Sequence, residues 1–295
     1  MIVFELSMNN LSISTIAGVV VLYNPDERVL VNIKTYLDSV QVLFAIDNSE
    51  NPRANFVTEL VNISGKIEYI AMHGNQGISK ALNIAAMSAI ERSCTWLLTM
   101  DQDSTASPNM INLMLDCTSG SSNVGLVGPY HWVDPENYCP GKTACEEVLT
   151  TMTSGNLLSL SAFRDVGCFR EDFFIGYVDL EYCLRLRKNG FSILQSNRAV
   201  LTHELGKLSK HKLLWATLST TNHPAIRLYY RTRNRLETMN LYRHDFPEFA
   251  KHEMSAMFKE LVKILFFEKD SLSKLKSAFK GYVHYKKKTF GKYVE

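Results

Sequence analysis

A doubly wound α/β sheet is the fold class this 295-residue chain predicts. Three observations predict it. Apolar runs of strand length show no polar alternation, so both of their faces are buried, as in a parallel sheet. Segments between them carry apolar residues at helical spacing. Polar clusters follow the runs directly, where open α/β sheets bind ligands.

The first run, "IAGVVVLYN" (Ile16 to Asn24), predicts a buried strand ending in a polar turn. "DERVLVNIKTYLDSV" (residues 26–40) predicts a helix with Asp26 and Glu27 in its first turn. "VLFAIDNSE" (42–50) and "KIEYIAM" (66–72) predict the second and third strands. "GISKALNIAAMSAIERS" (77–93) is rich in helix formers and carries an apolar stripe. "TWLLTM" (95–100) and "NVGLVGP" (123–129) predict two more strands, and "FSILQSNRAVLTHE" (191–204) a strand pair that delivers His203. Two long helices follow, at 224–243 and 247–270. The tail from Ser271 carries seven lysines and reads as a basic amphipathic helix or a frayed end.

Net charge changes sign along the chain. Residues 1–205 hold 13 Lys and Arg against 22 Asp and Glu, a net −9; residues 206–295 hold 19 against 8, a net +11. A basic C-terminal third on an acidic body suits an anionic partner, nucleic acid or a membrane face. No nucleic-acid-binding motif is present, so no nucleic-acid partner is expected. No apolar run reaches the ~20 residues that span a bilayer, and "MIVFELSMNN" lacks the basic flank of a signal peptide. Six cysteines without a CxxC pair predict reduced thiols in a cytoplasmic protein, with neither zinc site nor disulfide framework. P-loop, dinucleotide-binding and GxSxG motifs are absent.

Two acidic clusters carry the candidate chemistry. In "LLTMDQDSTASP", Asp101 and Asp103 end a strand; alternate residues of an extended backbone project to one side, so both could address one hard divalent cation, or both could cap a turn. In "FFIGYVDLEYCLRLRKNG", Asp179 and Glu181 open a helical segment, as a general base over a cleft or as helix caps. "RLYYRTRN" (227–234) reads as a clamp on a diphosphate or anionic lipid, or as a solvated helix face.

Taken in order, "VVVLYNP", "AIDNS", "HGNQGISKALNIA", "MDQDS", "SGNLLS", "FFIGYVDLEYCLRLRKNG" and "LTHELG" resemble the inverting GT-A glycosyltransferases of family 2, in the bacterial rhamnosyltransferase-like branch. The resemblance covers roughly residues 14–240. It implies the GT-A nucleotide-diphospho-sugar transferase fold, a mostly parallel central sheet flanked by helices, over residues 1–240. Residues 241–295 would form a helical basic extension.

The site implied by the resemblance has Tyr23, Asn24, Asp47, Asn75, Gly77, Asn83 and Asp101 around the nucleotide-sugar donor, with Asp47 on the pyrimidine edge. Asp103 and His203 would bind Mg²⁺ or Mn²⁺. Gly155 and Asn156 would border the donor sugar and acceptor. Asp179 would be the catalytic base, with Glu181 beside the substrate. Val178 stands where the family usually has an acid. The implied reaction moves a sugar, first choice L-rhamnose from dTDP-L-rhamnose, to a saccharide or lipid-linked oligosaccharide with inversion, in O-antigen or capsule assembly. The expected location is cytoplasmic, with peripheral contact on the inner face of the plasma membrane through the basic C-terminus. The alternative is a non-catalytic nucleotide-sugar-binding scaffold of the same fold.

Overall fold

The computed structural model describes residues 14–121, 123–132, 141, 143–203, 209–213, 216–220 and 222–294, with side chains described outside 203–220. Its first half follows the apolar runs. Strands β1 (Ile16–Leu22), β2 (Val42–Asp47), β3 (Ile67–Ala71) and β4 (Trp96–Asp101) lie side by side in the order β3–β2–β1–β4, all parallel.

Continuous apolar sequence has a direct structural consequence here. Ile16, Val20 and Leu22 of β1 enter one core layer with helices α1 (Arg28–Lys34), α2 (Ala54–Ile63) and α4 (Met110–Asp116). Ala17 and Val19 enter the opposite layer with α3 (Ile78–Glu91), α5 (Leu160–Val166) and α6 (Val178–Lys188). Helices thus cover both faces, and ligands are left the strand ends.

Beyond β4 the sheet is mixed. Strand β8 (Asn156–Ser159) runs antiparallel to β4 and to β6 (Val124–Trp132). Strand β9 (Ser192–His203) is parallel to β6 and antiparallel to β7 (Cys145–Glu147) and β5 (Ser104–Ala106). Only Gln102 and Asp103 separate β4 from β5, yet β8, β6 and β9 lie between them in the sheet, so the sheet curls back on itself.

The strand pair expected at 191–204 is a single strand. Ser196 pairs with Pro129 and Val200 with Tyr130, so residues 197–199 bulge out of an otherwise continuous ladder. The cysteine reading is corrected too. Cys117, at the end of α4, is disulfide-bonded to Cys145 on β7, with Cα atoms 5.7 Å apart, while Cys94, Cys168 and Cys183 are free thiols.

Strands β10 (Ser209–Leu213) and β11 (Ala216–Thr220) form a separate hairpin before three helices: α7 (Ala225–Tyr242), α8 (Pro247–Phe267) and α9 (Ser271–Lys286). The tail is therefore helical from Ser271 to Lys286. Gly281 of α9 sits so close to α7 that a Cβ there would lie 2.5 Å from the Tyr229 carbonyl oxygen. Past α9 the chain folds back: the Gly291 N–H donates to the Asp172 carbonyl, and Lys292 Nζ donates to the Asn75 carbonyl at 3.1 Å.

Candidate active site

The polar residues after each strand hold one another's backbone. Asn24 takes a positive φ of 46°, and its N–H donates to Ser49 Oγ at 2.7 Å, joining the ends of β1 and β2. Gln102 acts like a strand partner for Tyr23. Its Oε1 accepts the Tyr23 N–H at 2.8 Å and its Nε2 donates to the Tyr23 carbonyl at 3.3 Å. The middle residue of "DQD" thus clasps the β1 loop to the acidic turn, a role the sequence analysis missed. Tyr23 presents its ring outward, 45% exposed.

Asp47 ends β2 but faces inward. It is fully buried, its Oδ1 accepting the Ser49 N–H at 2.8 Å and its Oδ2 accepting the Tyr69 hydroxyl at 2.9 Å. Burial and that carboxylate push the Tyr69 phenol above its ordinary range. The bonds Asp47 makes here are internal, tying the start of the β2 loop to Tyr69 of β3, and the base-edge contact expected of it is not among them.

The loop 73–77 is held by Asn48, whose Oδ1 accepts the Gln76 N–H and whose Nδ2 donates to the Gly77 carbonyl. Asn75 caps the Gly77 N–H through Oδ1 at 3.0 Å. Gly77, at φ +89°, is required by the chain itself, since a Cβ would meet the Phe174 carbonyl oxygen at 2.7 Å. Asn83 is corrected outright. It is buried, with Nδ2 donating to the Phe169 carbonyl and to Glu171 Oε1, and Oδ1 accepting the Phe169 N–H. It pins the segment before α6, its amide taken up by protein groups.

Asp101 is half-buried and Asp103 exposed, on a tight turn in place of the extended segment expected. One loop, 151–156, connects this turn to α6. Ser154 Oγ accepts the Asp101 N–H at 3.0 Å and donates to Ser104 Oγ at 2.8 Å, and His131 Nε2 lies 2.7 Å from the Ser154 carbonyl oxygen. Gly155, at φ +82°, has no room for a Cβ beside Pro129 and Leu201, and its N–H donates to the Thr99 carbonyl. Asn156 is buried, its Nδ2 bonded to the Met152 carbonyl.

On the other side of that loop stands Asp179, in the first turn of α6. With Thr99, Thr153, Asn156, Phe169 and Cys183 it lines a cavity of about 10 Å³, room for a single water. Burial raises its carboxyl above the ordinary carboxylate range, opposed by backbone N–H bonds from Leu180, Asp179 itself and Thr153. Part of its surface stays accessible. Glu181 differs: it is buried, with Oε2 paired to Arg185 at 2.9 Å and Oε1 accepting the Tyr242 hydroxyl at 2.8 Å. The substrate role expected of Glu181 is corrected to anchoring α6 on α7.

The segment before α6 is unusually constrained, with Phe174 and Tyr177 both at positive φ. The arginine-rich stretch of α7 holds it. Asn234 Nδ2 donates to the carbonyls of Phe173, Ile175 and Gly176, and Arg233 Nη2 to those of Asp172 and Phe173. Arg235 is buried against Tyr177, Glu253 and Glu260. Neither the phosphate clamp nor the solvated face expected of "RLYYRTRN" describes these three residues, which support the backbone that delivers Asp179.

For a divalent cation, the donor set is chemically apt. Asp101 and Asp103 offer the oxygen ligands that Mg²⁺ and Mn²⁺ prefer, with waters and phosphate completing the sphere. The backbone of His203 pairs with Ser104, next to Asp103; the His203 side chain lies outside the described residues. Among the described residues no three His, Cys, Asp or Glu side chains gather into a metal-sized group.

Comparison with known proteins bears on what these strand ends do. The sequence model of "Glycosyl transferase family 2" matches residues 19–138. The dTDP-rhamnosyl transferase RfbF of Shigella flexneri is 29% identical over 242 residues, covering 75% of this chain and 78% of RfbF. Among solved structures, GalNAc-T7 with UDP, GalNAc and Mn²⁺ superposes with a TM-score of 0.62 at 11% identity, over 82% of this chain and 50% of that one. S. aureus TarS residues 1–349 superpose with a TM-score of 0.58 at 11% identity, over 92% of this chain and 80% of that one. The chain spans half the length of the GalNAc-T7 chain. The stretch that the family 2 model matches, residues 19–138, begins in β1 and contains the "DQD" turn, and the chain shares the GT-A fold of these solved structures.

Proposed function

We propose that the chain transfers a glycosyl group from a nucleotide diphosphate sugar to a saccharide or lipid-linked hydroxyl, with inversion at the anomeric carbon. The observation that carries this is the loop 151–156, which ties the "DQD" turn to Asp179 on α6. A donor site and a base on opposite sides of one loop suit a single displacement. The acceptor oxygen bonds to the sugar carbon as the carbon–phosphate-oxygen bond breaks. The nucleotide diphosphate leaves with the electron pair, and the hydroxyl proton passes to Asp179.

A partly desolvated carboxylate is a stronger base than one in water, and proton acceptance of this kind contributes about 10²–10⁴-fold in rate. Asp103, with Asp101 and His203, would hold Mg²⁺ or Mn²⁺, which when bound offsets negative charge on the leaving diphosphate. The Mn²⁺ and UDP held by GalNAc-T7 support that assignment by analogy of fold. Tyr23, Asn75 and Gly77, on the same sheet edge, would contact the nucleotide. Gly155 and Asn156, in the connecting loop, would border the sugar. The likeness to the dTDP-rhamnosyl transferase RfbF supports dTDP-rhamnose as donor; surface-polysaccharide assembly is the setting that the sequence resemblance implies.

Binding of dTDP, UDP and GDP with and without Mn²⁺, followed by release of nucleotide diphosphate from the matching sugar nucleotides, tests the reading. The expected result is Mn²⁺-dependent dTDP binding that is lost in Asp103→Ala. Absence of binding by every nucleotide diphosphate would sink it.

A further inference from the structure

The C-terminal helices leave an uncovered apolar stripe. Helix α8 turns Glu253, Glu260 and Ile264 toward α7 through the Arg231 and Arg235 ion pairs and contact with Leu228. Its other side presents Phe258 (68% exposed), Val262, Leu265 and Phe266 (71% exposed), residues spaced to fall on one face. Helix α9 turns Ala278 and Gly281 toward α7 and presents Leu272 (73% exposed) and Phe279 (67% exposed) on the far side. Scattered exposed apolar residues are ordinary; large ones aligned on adjoining helices mark a contact surface.

The exposed charges around the stripe are mostly basic. Glu253, Glu260 and Glu268 pair inward with Arg235, Arg231 and Lys274. Lys259, Lys269 and Lys276 stand exposed among the apolar residues; Glu248, paired with Lys251, and Asp270 are the exposed acids of this segment. A second copy docking through the same face would set lysines against lysines. No described helix is long and apolar enough to cross a membrane, so such helices would lie flat.

We infer that the faces of α8 and α9 turned away from α7 form a docking surface for an anionic lipid bilayer, Phe258, Phe266, Leu272 and Phe279 entering the headgroup boundary and the lysines meeting lipid phosphates. This deepens the proposed function, since it says where a lipid-borne acceptor would meet the enzyme, and rests on that reading for its purpose but not for its evidence.

Flotation of the full chain with vesicles of phosphatidylcholine, alone or with phosphatidylglycerol at about one lipid in three, is the test. Binding is expected to the anionic vesicles, weakening as salt rises. Phe258→Ser with Phe279→Ser should lower the bound fraction about tenfold. Lys259→Glu with Lys276→Glu should abolish the preference for phosphatidylglycerol. These side chains are exposed, and nucleotide diphosphate binding should persist in both variants. No vesicle binding, unchanged binding in the variants, or a dimer that the Phe substitutions dissolve would each overturn the inference. Vesicle binding without any nucleotide binding would leave the docking surface standing and remove the transferase reading; the reverse would remove only the docking surface.

Discussion

The end of β4 and the start of α6 carry the same sequence spacing, two acids separated by one residue, and use it in different ways. At Asp101-Gln102-Asp103 the backbone turns between two strands, leaving Asp101 half-buried and Asp103 exposed while the middle side chain clasps Tyr23. At Asp179-Leu180-Glu181 the backbone is helical, and residues two apart point about 200° from each other. Asp179 therefore faces the cavity by the 151–156 loop, while Glu181 faces α7 and is consumed by Arg185 and Tyr242. Spacing alone does not say which acids share a site; the local backbone does.

The sharpest way to break this comparison is to exchange the two acids of α6. Asp179→Asn is expected to lower the transfer rate about 10²–10⁴-fold with nucleotide diphosphate affinity unchanged. Single-turnover rates and calorimetric titration would show it. Glu181→Ala should do the opposite. Removing a buried partner of Arg185 and Tyr242 should cost about 2–4 kcal/mol in denaturant unfolding, while the surviving folded enzyme keeps most of its turnover. If Glu181→Gln abolished turnover at full stability, the two roles would have to be reversed.

A smaller effect is expected where α7 supports the α6 entry. Asn234→Ala removes a donor to three backbone carbonyls and should cost about 1–3 kcal/mol. Turnover should fall with it, and nucleotide affinity should hold, because the supported segment belongs to the Asp179 side of the site. Equal loss of nucleotide affinity would show that the two regions are not separable.

The parallel half of the fold was legible because its strands are unbroken apolar runs, and burial on both faces leaves no other reading. The mixed half was not. Strands β5 and β7 are three residues long and β8 four, too short for periodicity to register, and the bulge at 197–199 makes one strand read as two. The acidic turn and Asp179 stood out by residue type and position. Gln102, Ser154 and Asn48 did not, because each works by hydrogen bonds to backbone far away in the chain, for which sequence carries no period. Asn83 and "RTRN" misled for the converse reason: polar side chains suited to a ligand are equally suited to a buried carbonyl. The Cys117–Cys145 bond joins residues 28 apart, and only the meeting of α4, β7 and β9 reveals it.

The smallest expected effect separates the base reading of Asp179 from plain helix capping. Its carboxyl is raised above the ordinary value by burial, so the folded state holds that proton more tightly than the unfolded chain does. The protonated form's stabilisation is fully present below the unfolded pKa and is lost as pH rises through the folded one. At neutral pH the ionised carboxylate is therefore a destabilising group that the fold tolerates. Asp179→Asn should melt higher than the wild type at pH 7, and the two curves should converge in acid. In the active enzyme the acid limb of the rate profile should lie above the range of an exposed aspartate, since only the ionised form accepts the acceptor's proton. A cap behaves otherwise: its stabilisation comes from the negative charge at the helix N-terminus, so Asp179→Asn would melt lower at pH 7. Melting temperatures of the two proteins across acid and neutral pH decide between them, because the sign of the difference at neutral pH belongs to one reading alone.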